Sequence, residues 1–211
     1  MTRIVDLSLP VVAEMPRFPD TPPVFMAESQ TIDSAGYRIS MVVTGSHSGT
    51  HLDAPSHFLP DGYDVGEIPL EACLGEALVV DFSAKGSREP IRADELERAA
   101  GDLEPGGRLL VRTDWDERFG EPGYFDDFPP LSPETADWLV ERRVVLVGID
   151  MPTLHQTAFA EMHRKLLATG MVIVESLANL RELERPRVTF SALPVKFVDL
   201  DGAPVRAVAW S

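Results

Sequence analysis

Three histidines and one aspartate fall within eleven consecutive positions: His47, His51, Asp53 and His57, in the run S-H-S-G-T-H-L-D-A-P-S-H-F over residues 46–58. The whole chain holds five histidines, so this concentration is unusual. Imidazole and carboxylate groups are the usual ligands of a divalent cation such as zinc, and manganese accepts the same nitrogen and oxygen donors. All four positions are odd, so an extended backbone would point the four side chains to one side. The segment is therefore predicted to form the floor of a metal site.

Two residues far along the chain are candidates for a second half of this site. His163 lies on a predicted helix over residues 157–168, and Glu175 ends a predicted strand over residues 171–175, with a turn at Gly170 between them. Helix, turn and strand would bring the two side chains together, and with Asp53 as a bridging carboxylate they could hold a second ion about 3.5–4 Å from the first. By spacing alone, a lone helical histidine such as His163 is more often a packing or surface residue, and Glu175 at a strand end is more often a solvated carboxylate or a helix cap.

Three other reactive side chains are assigned structural roles. His155 is expected in an exposed turn before the helix, although it is also a possible ligand. Asp150 is interpreted as the cap of the turn that follows it, with metal binding as the alternative. Cys73 is the single cysteine, so an intrachain disulfide is excluded, and its apolar surroundings favour a buried packing residue.

Composition restricts the class of partner and the compartment. The 211 residues carry a formal net charge of −15, which disfavours nucleic acid and anionic membranes as partners. The charge says little about the substrate, which is expected to be a small molecule. A single cysteine fits a reducing cytoplasm, and neither a signal-peptide-length run nor a membrane span is evident. No low-complexity linker divides the chain, so one domain over residues 1–211 is expected.

The pattern of apolar residues and turn signals predicts eight to ten strands and four short helices in mixed order. This is an α+β or mixed α/β layered domain rather than a regular βαβ series. A proline-rich loop is expected over residues 15–23. The main predicted strands cover residues 3–9, 37–44, 76–82, 108–112, 144–149, 171–175, 188–197 and 204–210, and the predicted helices cover residues 93–100, 133 to about 143, 157–168 and 179–183.

The run H-S-G-T-H-L-D-A-P-S-H-F resembles the H-x-G-T-H-x-D-x-P-x-H-F signature of the metal-dependent cyclase family, which includes the bacterial kynurenine formamidases. Residues 146–152, 163–180 and 193–209 resemble further segments of the same family, so the similarity covers essentially the whole chain. The resemblance implies a swivelling β/β/α fold and a dimer or larger homo-oligomer.

The resemblance also implies roles for individual residues. His47, His51 and Asp53 would bind a first zinc ion, and Asp53, His163 and Glu175 a second, with Asp53 and Glu175 shared. His57 would be the general acid and base rather than a ligand. The implied activity is that of an arylformamidase, which hydrolyses N-formyl-kynurenine to kynurenine and formate in tryptophan catabolism.

Two departures from the family pattern fall where substrate identity is set. Phe18 stands in M-P-R-F-P where the formamidases typically carry tryptophan, although phenylalanine can still stack on an aryl ring. The segment after Asp150 reads T-L-H-Q-T-A-F-A-E-M, without the acidic, serine-bearing run of the formamidases. The sequence therefore leaves two alternatives open: the same site acting on a cyclic amide, imide or lactone, as in an isatin hydrolase or a cyclase, and a metal-binding protein without catalysis.

Overall fold

The computed structural model describes residues 3–211 and confirms the mixed α/β class: a nine-stranded sheet flanked by helices, with a separate two-stranded sheet. The strands are β1 (Ile4–Asp6), β2 (Phe25–Gln30), β3 (Ile39–Val43), β4 (His51–Asp53), β5 (Leu74–Asp81), β6 (Arg108–Arg112), β7 (Leu146–Ile149), β8 (Val172–Glu175), β9 (Arg187–Ser191), β10 (Gly202–Pro204) and β11 (Val208–Trp210). The α-helices are α1 (Ile32–Ala35), α2 (Leu70–Cys73), α3 (Ala93–Ala100), α4 (Pro133–Glu141) and α5 (Phe159–Leu167), and short 3-10 turns cover Pro55–His57, Val65–Glu67, Trp115–Arg118 and Leu180–Glu182.

The strand order of the large sheet is β1-β11-β9-β5-β6-β7-β8-β4-β10. Strands β5 to β8 run parallel, and every other neighbouring pair is antiparallel. The short strand β4 lies between β8 and β10, with His51 opposite Glu175 and Asp53 opposite Gly202. Residues distant in sequence therefore meet on both sides of β4.

Two apolar clusters occupy the two faces of the sheet. Along β6, Leu109 and Val111 join the cluster that packs under the helices, whereas Leu110 joins the opposite cluster with residues of β1, β4, β9 and β11. Because successive side chains of a strand point to opposite faces, a strand buried on both faces is apolar at every position. The run L-L-V in β6 has this pattern, and all three residues are fully buried.

Several predicted elements are confirmed and two are corrected. The helix over residues 93–100 and the strand over residues 108–112 have the predicted bounds. The strand predicted over residues 188–197 is wrong beyond Ser191, where the chain leaves the sheet. The strand predicted over residues 204–210 is two strands at different places in the sheet: β10 pairs with β4, and β11 lies between β1 and β9.

The hairpin of β2 and β3 lies apart from the large sheet and is largely exposed. Only β3 is predicted, because the polar run E-S-Q in β2 lacks a strand pattern. Among residues 3–211, none of the helices has the length and apolar character needed to cross a bilayer.

Candidate metal centre

The histidine-rich segment is not one extended strand, contrary to the prediction. Only His51–Asp53 forms strand β4; His47 lies in the turn before it, and His57 ends the 3-10 turn that follows. The side chains nevertheless converge: His47 Nδ1 lies 2.8 Å from Asp53 Oδ1, and the His47 and His57 rings stack with centroids 3.9 Å apart. Turn, strand and turn bring them together, rather than period-two alternation.

Gly49 and Thr50 determine the conformation of the middle of the histidine-rich segment. Gly49 has φ of +63°, a conformation that favours glycine, and its carbonyl accepts a hydrogen bond of 2.8 Å from His51 Nδ1. The buried Thr50 hydroxyl accepts from Leu9 N at 2.8 Å and donates to Ser176 O at 2.5 Å. These bonds attach the start of β4 to the end of β8.

Pro55 favours the 3-10 turn at the end of the histidine-rich segment. It begins the 3-10 turn, where a fixed φ and a missing N–H cost nothing, and His57 N donates to Ala54 O at 3.0 Å to close the turn. The turn lifts His57 out of the buried floor. Its side chain is 27% exposed, compared with 6% for His51 and 1% for Asp53.

The structure also brings His163 and Glu175 into this cluster. His163 lies on the buried face of α5, and Glu175 ends β8 opposite His51. His163 Nε2 lies 3.3 Å from Asp53 Oδ2 and 3.2 Å from Glu175 Oε1, and His51 Nε2 lies 3.6 Å from Glu175 Oε2. All residues predicted as ligands thus occupy one connected cluster.

Backbone acceptors fix how the two most buried histidines are oriented. His51 Nδ1 faces the carbonyl of Gly49, and His163 Nδ1 faces the carbonyl of Phe159 at 2.7 Å. With each Nδ1–H donated to a backbone oxygen, each Nε2 points toward the carboxylates of Asp53 and Glu175. This arrangement is typical of metal-binding histidines, whose other ring nitrogen is held by an outer partner.

The donor set of this cluster fits a divalent cation. Asp53 Oδ2 is buried and finds no hydrogen-bond partner with acceptable geometry within residues 3–211. One ligand atom each from Asp53, His163 and Glu175 lie within 4.8 Å of one another, as do one each from His47, Asp53 and His57. An unsatisfied buried carboxylate oxygen is costly, and a cation held by nitrogen and oxygen donors would satisfy it.

Burial and the neighbouring charged groups shift the pKa values of the histidines and of Asp53 in this cluster. Burial opposes protonation of His47, but hydrogen bonds to Asp201 and Asp53 outweigh it and raise the pKa of His47 to about 10. Burial likewise opposes protonation of His163, but the nearby carboxylates of Asp53 and Glu175 outweigh it and raise the pKa of His163 to about 10. Burial lowers the pKa of His51, which favours the neutral, metal-binding form. Burial favours the neutral form of Asp53, yet its imidazole neighbours hold the pKa of this carboxyl well below its usual range.

Sequence reasoning missed Asp201. Its Oδ2 lies 2.9 Å from His47 Nε2 and 3.3 Å from His57 Nδ1, and these two contacts lower the pKa of Asp201. The residue belongs to an acidic D-L-D-G run about 150 positions after the motif, so spacing could not connect it. The one available signal was the Asp-Gly pair ahead of a strand.

A second acidic cluster, Asp114, Asp116 and Asp150, lies nearby at the ends of β6 and β7. Asp150 accepts hydrogen bonds from Thr113 N, Thr113 Oγ1 and Asp114 N at 2.5–2.8 Å, so it caps the loop after β6 rather than its own turn. Arg112 binds both oxygens of Asp114 at 2.8 Å. Asp116 Oδ2 accepts from Asn179 N at 2.9 Å and lies 3.4 Å from Arg181 Nη1.

A cavity of about 200 Å³ opens over the histidine cluster. Phe18, on the proline-rich loop, meets Phe125 and Phe159 edge-to-face with ring centroids 5.9 and 6.2 Å apart. The imidazoles and Glu175 form the polar end of the cavity, and the other end is aromatic, lined by Phe18, Phe58, Phe119, Tyr124, Phe125 and Phe159. The cavity can hold an aromatic ring with a polar group near the candidate ligands.

The remaining reactive side chains have structural surroundings. His155 Nδ1 accepts from Thr157 N and Ala158 N at 3.0 and 3.1 Å, so it caps the segment that enters α5. Cys73 is fully buried, and burial raises the pKa of its thiol to about 11, which suppresses its reactivity.

Comparison with known proteins shows the family of the chain. Residues 5–156 match the family model described as "Putative cyclase". The chain is 33% identical over 211 residues to a kynurenine formamidase of Bordetella petrii, covering 99% of this chain and 98% of that protein.

Solved structures of isatin hydrolase A have the same fold. The enzyme from Labrenzia aggregata, bound to benzyl benzoate, superposes with a TM-score of 0.85 at 28% identity, covering 99% of this chain and 93% of that one. The enzyme from Ralstonia solanacearum gives a TM-score of 0.87 at 26% identity, covering 99% and 92%.

Proposed function

The chain belongs to the cyclase family, and on that premise we propose that it is a metal-dependent arylformamidase that hydrolyses N-formyl-kynurenine to kynurenine and formate. The chain is an amide hydrolase of this family, since it is related over nearly its full length to a kynurenine formamidase and shares its fold with isatin hydrolases. The observation that carries the proposal is the orphaned Asp53 Oδ2, which lies 3.3 Å from His163 Nε2, while Oδ1 of the same carboxylate lies 3.5 Å from His51 Nε2. Both imidazoles line the partly aromatic cavity.

We assign the ligands as His47, His51 and Asp53 for one zinc ion and Asp53, His163 and Glu175 for a second, with manganese as the alternative metal. A bound divalent cation supplies Lewis acidity, which polarises an amide carbonyl and lowers the pKa of water toward about 7. The chain's contribution is to hold the ligands rigidly: the backbone carbonyls of Gly49 and Phe159 orient two imidazoles, and the β4–β8 pairing places Glu175 opposite His51.

His57 is assigned as the general acid and base. It stands at the rim of the cluster, more exposed than the ligands, and lines the cavity beside them. From this position its imidazole can take the proton of the attacking water and return it to the leaving nitrogen. An arylamine suits this chemistry, because aniline nitrogen leaves more readily than an alkyl amine.

The aromatic end of the cavity is assigned to the aryl ring of the substrate. A cavity of about 150 Å³ lined by apolar side chains is known to accept benzene, so a volume of about 200 Å³ has room for a substituted ring. The edges of Phe18, Phe125 and Phe159 surround that space, and edge-to-face contacts with a bound ring would stabilise it.

A lactam such as isatin is the second candidate substrate. Two isatin hydrolases have the same fold, and the polar end of the cavity does not distinguish a cyclic from an open-chain amide. The test is kcat/KM for N-formyl-kynurenine and for isatin, measured with zinc-loaded and with manganese-loaded protein. Higher kcat/KM for N-formyl-kynurenine supports the arylformamidase, and higher kcat/KM for isatin supports the lactamase. No turnover of either by protein that carries metal would contradict both.

We also propose a homodimer in which the β2–β3 hairpin is covered. An isolated two-stranded hairpin is marginally stable in water, yet this hairpin exposes apolar side chains on both faces. Those side chains are Phe25, Met26, Ile39, Met41, Val42 and Val43. An apolar patch of this kind is typical of an interface between subunits. We also propose a cytoplasmic location, which the single, buried cysteine supports.

Light scattering after size exclusion tests the dimer. The wild-type protein should have twice the 23.2 kDa of one chain, and Val42→Glu should shift it toward the monomer. Ile4→Glu, a matched change at another exposed apolar residue, should leave the mass unchanged. A monomeric wild-type protein contradicts the assignment.

A further inference from the structure

The backbone at Asp201 is held by hydrogen bonds to the residue that follows β4 and to the 3-10 turn Val65–Glu67. Asp201 O accepts from Ala54 N at 2.9 Å, and the preceding carbonyl, Leu200 O, accepts from Val65 N at 2.9 Å. The next residue, Gly202, opens β10 and pairs with Asp53. The Asp201 carboxylate is thus fixed relative to β4 from both sides, although its side chain is 40% exposed.

One oxygen of this carboxylate serves two imidazoles. Asp201 Oδ2 lies 2.9 Å from Nε2 of His47 and 3.3 Å from Nδ1 of His57, whose rings stack with an interplanar angle of 29°. With its Nε2–H donated to Asp201, His47 must turn Nδ1 toward Asp53, where the 2.8 Å contact is found. For His57, the contact at Nδ1 leaves Nε2 as the ring nitrogen that is free to exchange a proton.

Gly202 shows that the backbone is adapted to this contact. A Cβ atom at position 202 would lie 2.8 Å from Cε1 of His47 and 2.7 Å from Leu52 O, both too close to tolerate. The absence of a side chain therefore lets the Asp201–Gly202 backbone approach the His47 ring. This observation is independent of the carboxylate contacts.

From this geometry we propose that Asp201 is a positioning residue that orients His47 as a metal ligand and His57 as the proton-transfer group, so that metal affinity and turnover both depend on one carboxylate. The proposal rests on the function assigned above. Outer carboxylates that hold metal-binding histidines typically contribute about 10–100-fold to metal affinity or activity. An ordinary outer carboxylate holds a metal-binding histidine, whereas Asp201 contacts both the proposed ligand His47 and the proposed non-ligand His57 through the same oxygen.

The first test compares Asp201→Asn with Asp199→Asn. Asp199 is exposed two residues earlier, so its variant carries the same change of charge without the contacts. Asp201→Asn should lower zinc affinity, measured by competition with a chelator, by about 10-fold or more, and should lower kcat at saturating zinc by a similar factor with KM nearly unchanged. Asp199→Asn should match the wild type. Equal zinc affinity and kcat in the two variants, or a rise in KM alone, would overturn the proposal.

A double-mutant cycle separates the two effects. In a His57→Ala background, Asp201→Asn should still weaken zinc binding but should cost little further kcat, because its effect on turnover passes through His57. Full additivity of the two losses in kcat overturns the link to His57.

A third measurement needs no variant and no substrate. Nitrogen-15 spectra of the zinc-loaded wild-type protein should show His47 with its proton on Nε2 and its zinc bond on Nδ1. The opposite tautomer overturns the proposal. If the protein hydrolyses no amide, the proposed function fails, while zinc affinity and the histidine spectrum still decide the role of Asp201.

Discussion

Two buried acidic clusters lie at the same edge of the sheet and differ in what neutralises them. In the first, Asp53 and Glu175 face imidazoles, His163 among them. In the second, Asp114 faces the guanidinium of Arg112, and Asp150 accepts hydrogen bonds from Thr113 and Asp114. Each contains three groups with ligand atoms within 4.8 Å of one another. Density of acidic groups alone therefore does not distinguish them.

The two clusters differ in whether the positively charged partner of the carboxylates can lose its charge. A histidine can give up its proton near neutral pH and then offer a lone pair, so a divalent cation can replace protons in the first cluster. An arginine stays charged and has no lone pair to offer, so in the second cluster Arg112 and Arg181 already occupy the place of a cation. The comparison implies that imidazoles, rather than carboxylates, identify the metal site.

The largest effect is expected from Asp53→Asn. The amide lacks the negative charge with which Asp53 would hold the proposed cations, and loss of Lewis acid stabilisation worth several kcal/mol corresponds to a fall in kcat/KM of about 10³-fold or more. Elemental analysis should also show less zinc per chain. The matched variant in the second cluster, Asp116→Asn, should keep the zinc content of the wild type; if it loses zinc instead, the comparison is wrong.

His57→Ala should lower kcat by about 10²–10³-fold while zinc content stays unchanged, because the residue is assigned to proton transfer and not to coordination. His155→Asn, which removes an imidazole outside the cluster, serves as the control and should retain kcat. Turnover left intact by His57→Ala contradicts the catalytic role. Loss of zinc in the same variant makes His57 a ligand.

Zinc affinity should rise with pH. In the metal-free protein the pKa values of His47 and His163 are raised to about 10, so both imidazoles carry a proton at pH 7 that zinc must displace. Release of two protons increases apparent affinity by up to about 100-fold per pH unit below those pKa values. Calorimetry in buffers of different ionisation enthalpy counts the protons. Binding that releases none excludes this exchange.

The smallest effect on the site is expected from Asp150→Asn, which should instead destabilise the fold. The variant keeps one oxygen for the two backbone N–H groups, which both bond Oδ2, but replaces the acceptor of the Thr113 hydroxyl by an amide N–H, at a cost of about 1 kcal/mol in the free energy of unfolding. Burial raises the pKa of Asp150 to about 7, above its ordinary value of 3.8, so the folded state binds the extra proton. The stability contributed by this group is then fully present below pH 4 and declines as pH rises toward 7.

Urea unfolding of wild type and Asp150→Asn at pH 5 and pH 8 measures this difference. The loss should be larger at pH 5, and zinc content should not change. Asp126→Asn, at an exposed position, is the control for the change of charge. A loss that grows from pH 5 to pH 8 would show the opposite sign of the pKa shift.

Much of the fold follows from local signals that the sequence carries. Helix α3 and strand β6 are predicted to the residue, because periodicity and a glycine stop define one and an unbroken apolar run defines the other. Strand β2 and the division between β10 and β11 are missed, because pairing with distant strands rather than local propensity makes them strands.

For the site, residue types and spacing were enough to nominate His47, His51, Asp53 and His57 as a metal-directed group, because imidazole and carboxylate chemistry does not depend on the path of the backbone. Only the tertiary structure decided that they converge from two turns and a strand, that His163 and Glu175 join them, and that Asp201 spans two of the rings. These contacts form across strand pairings that join residues more than 100 positions apart, and sequence spacing has no information about which strands become neighbours.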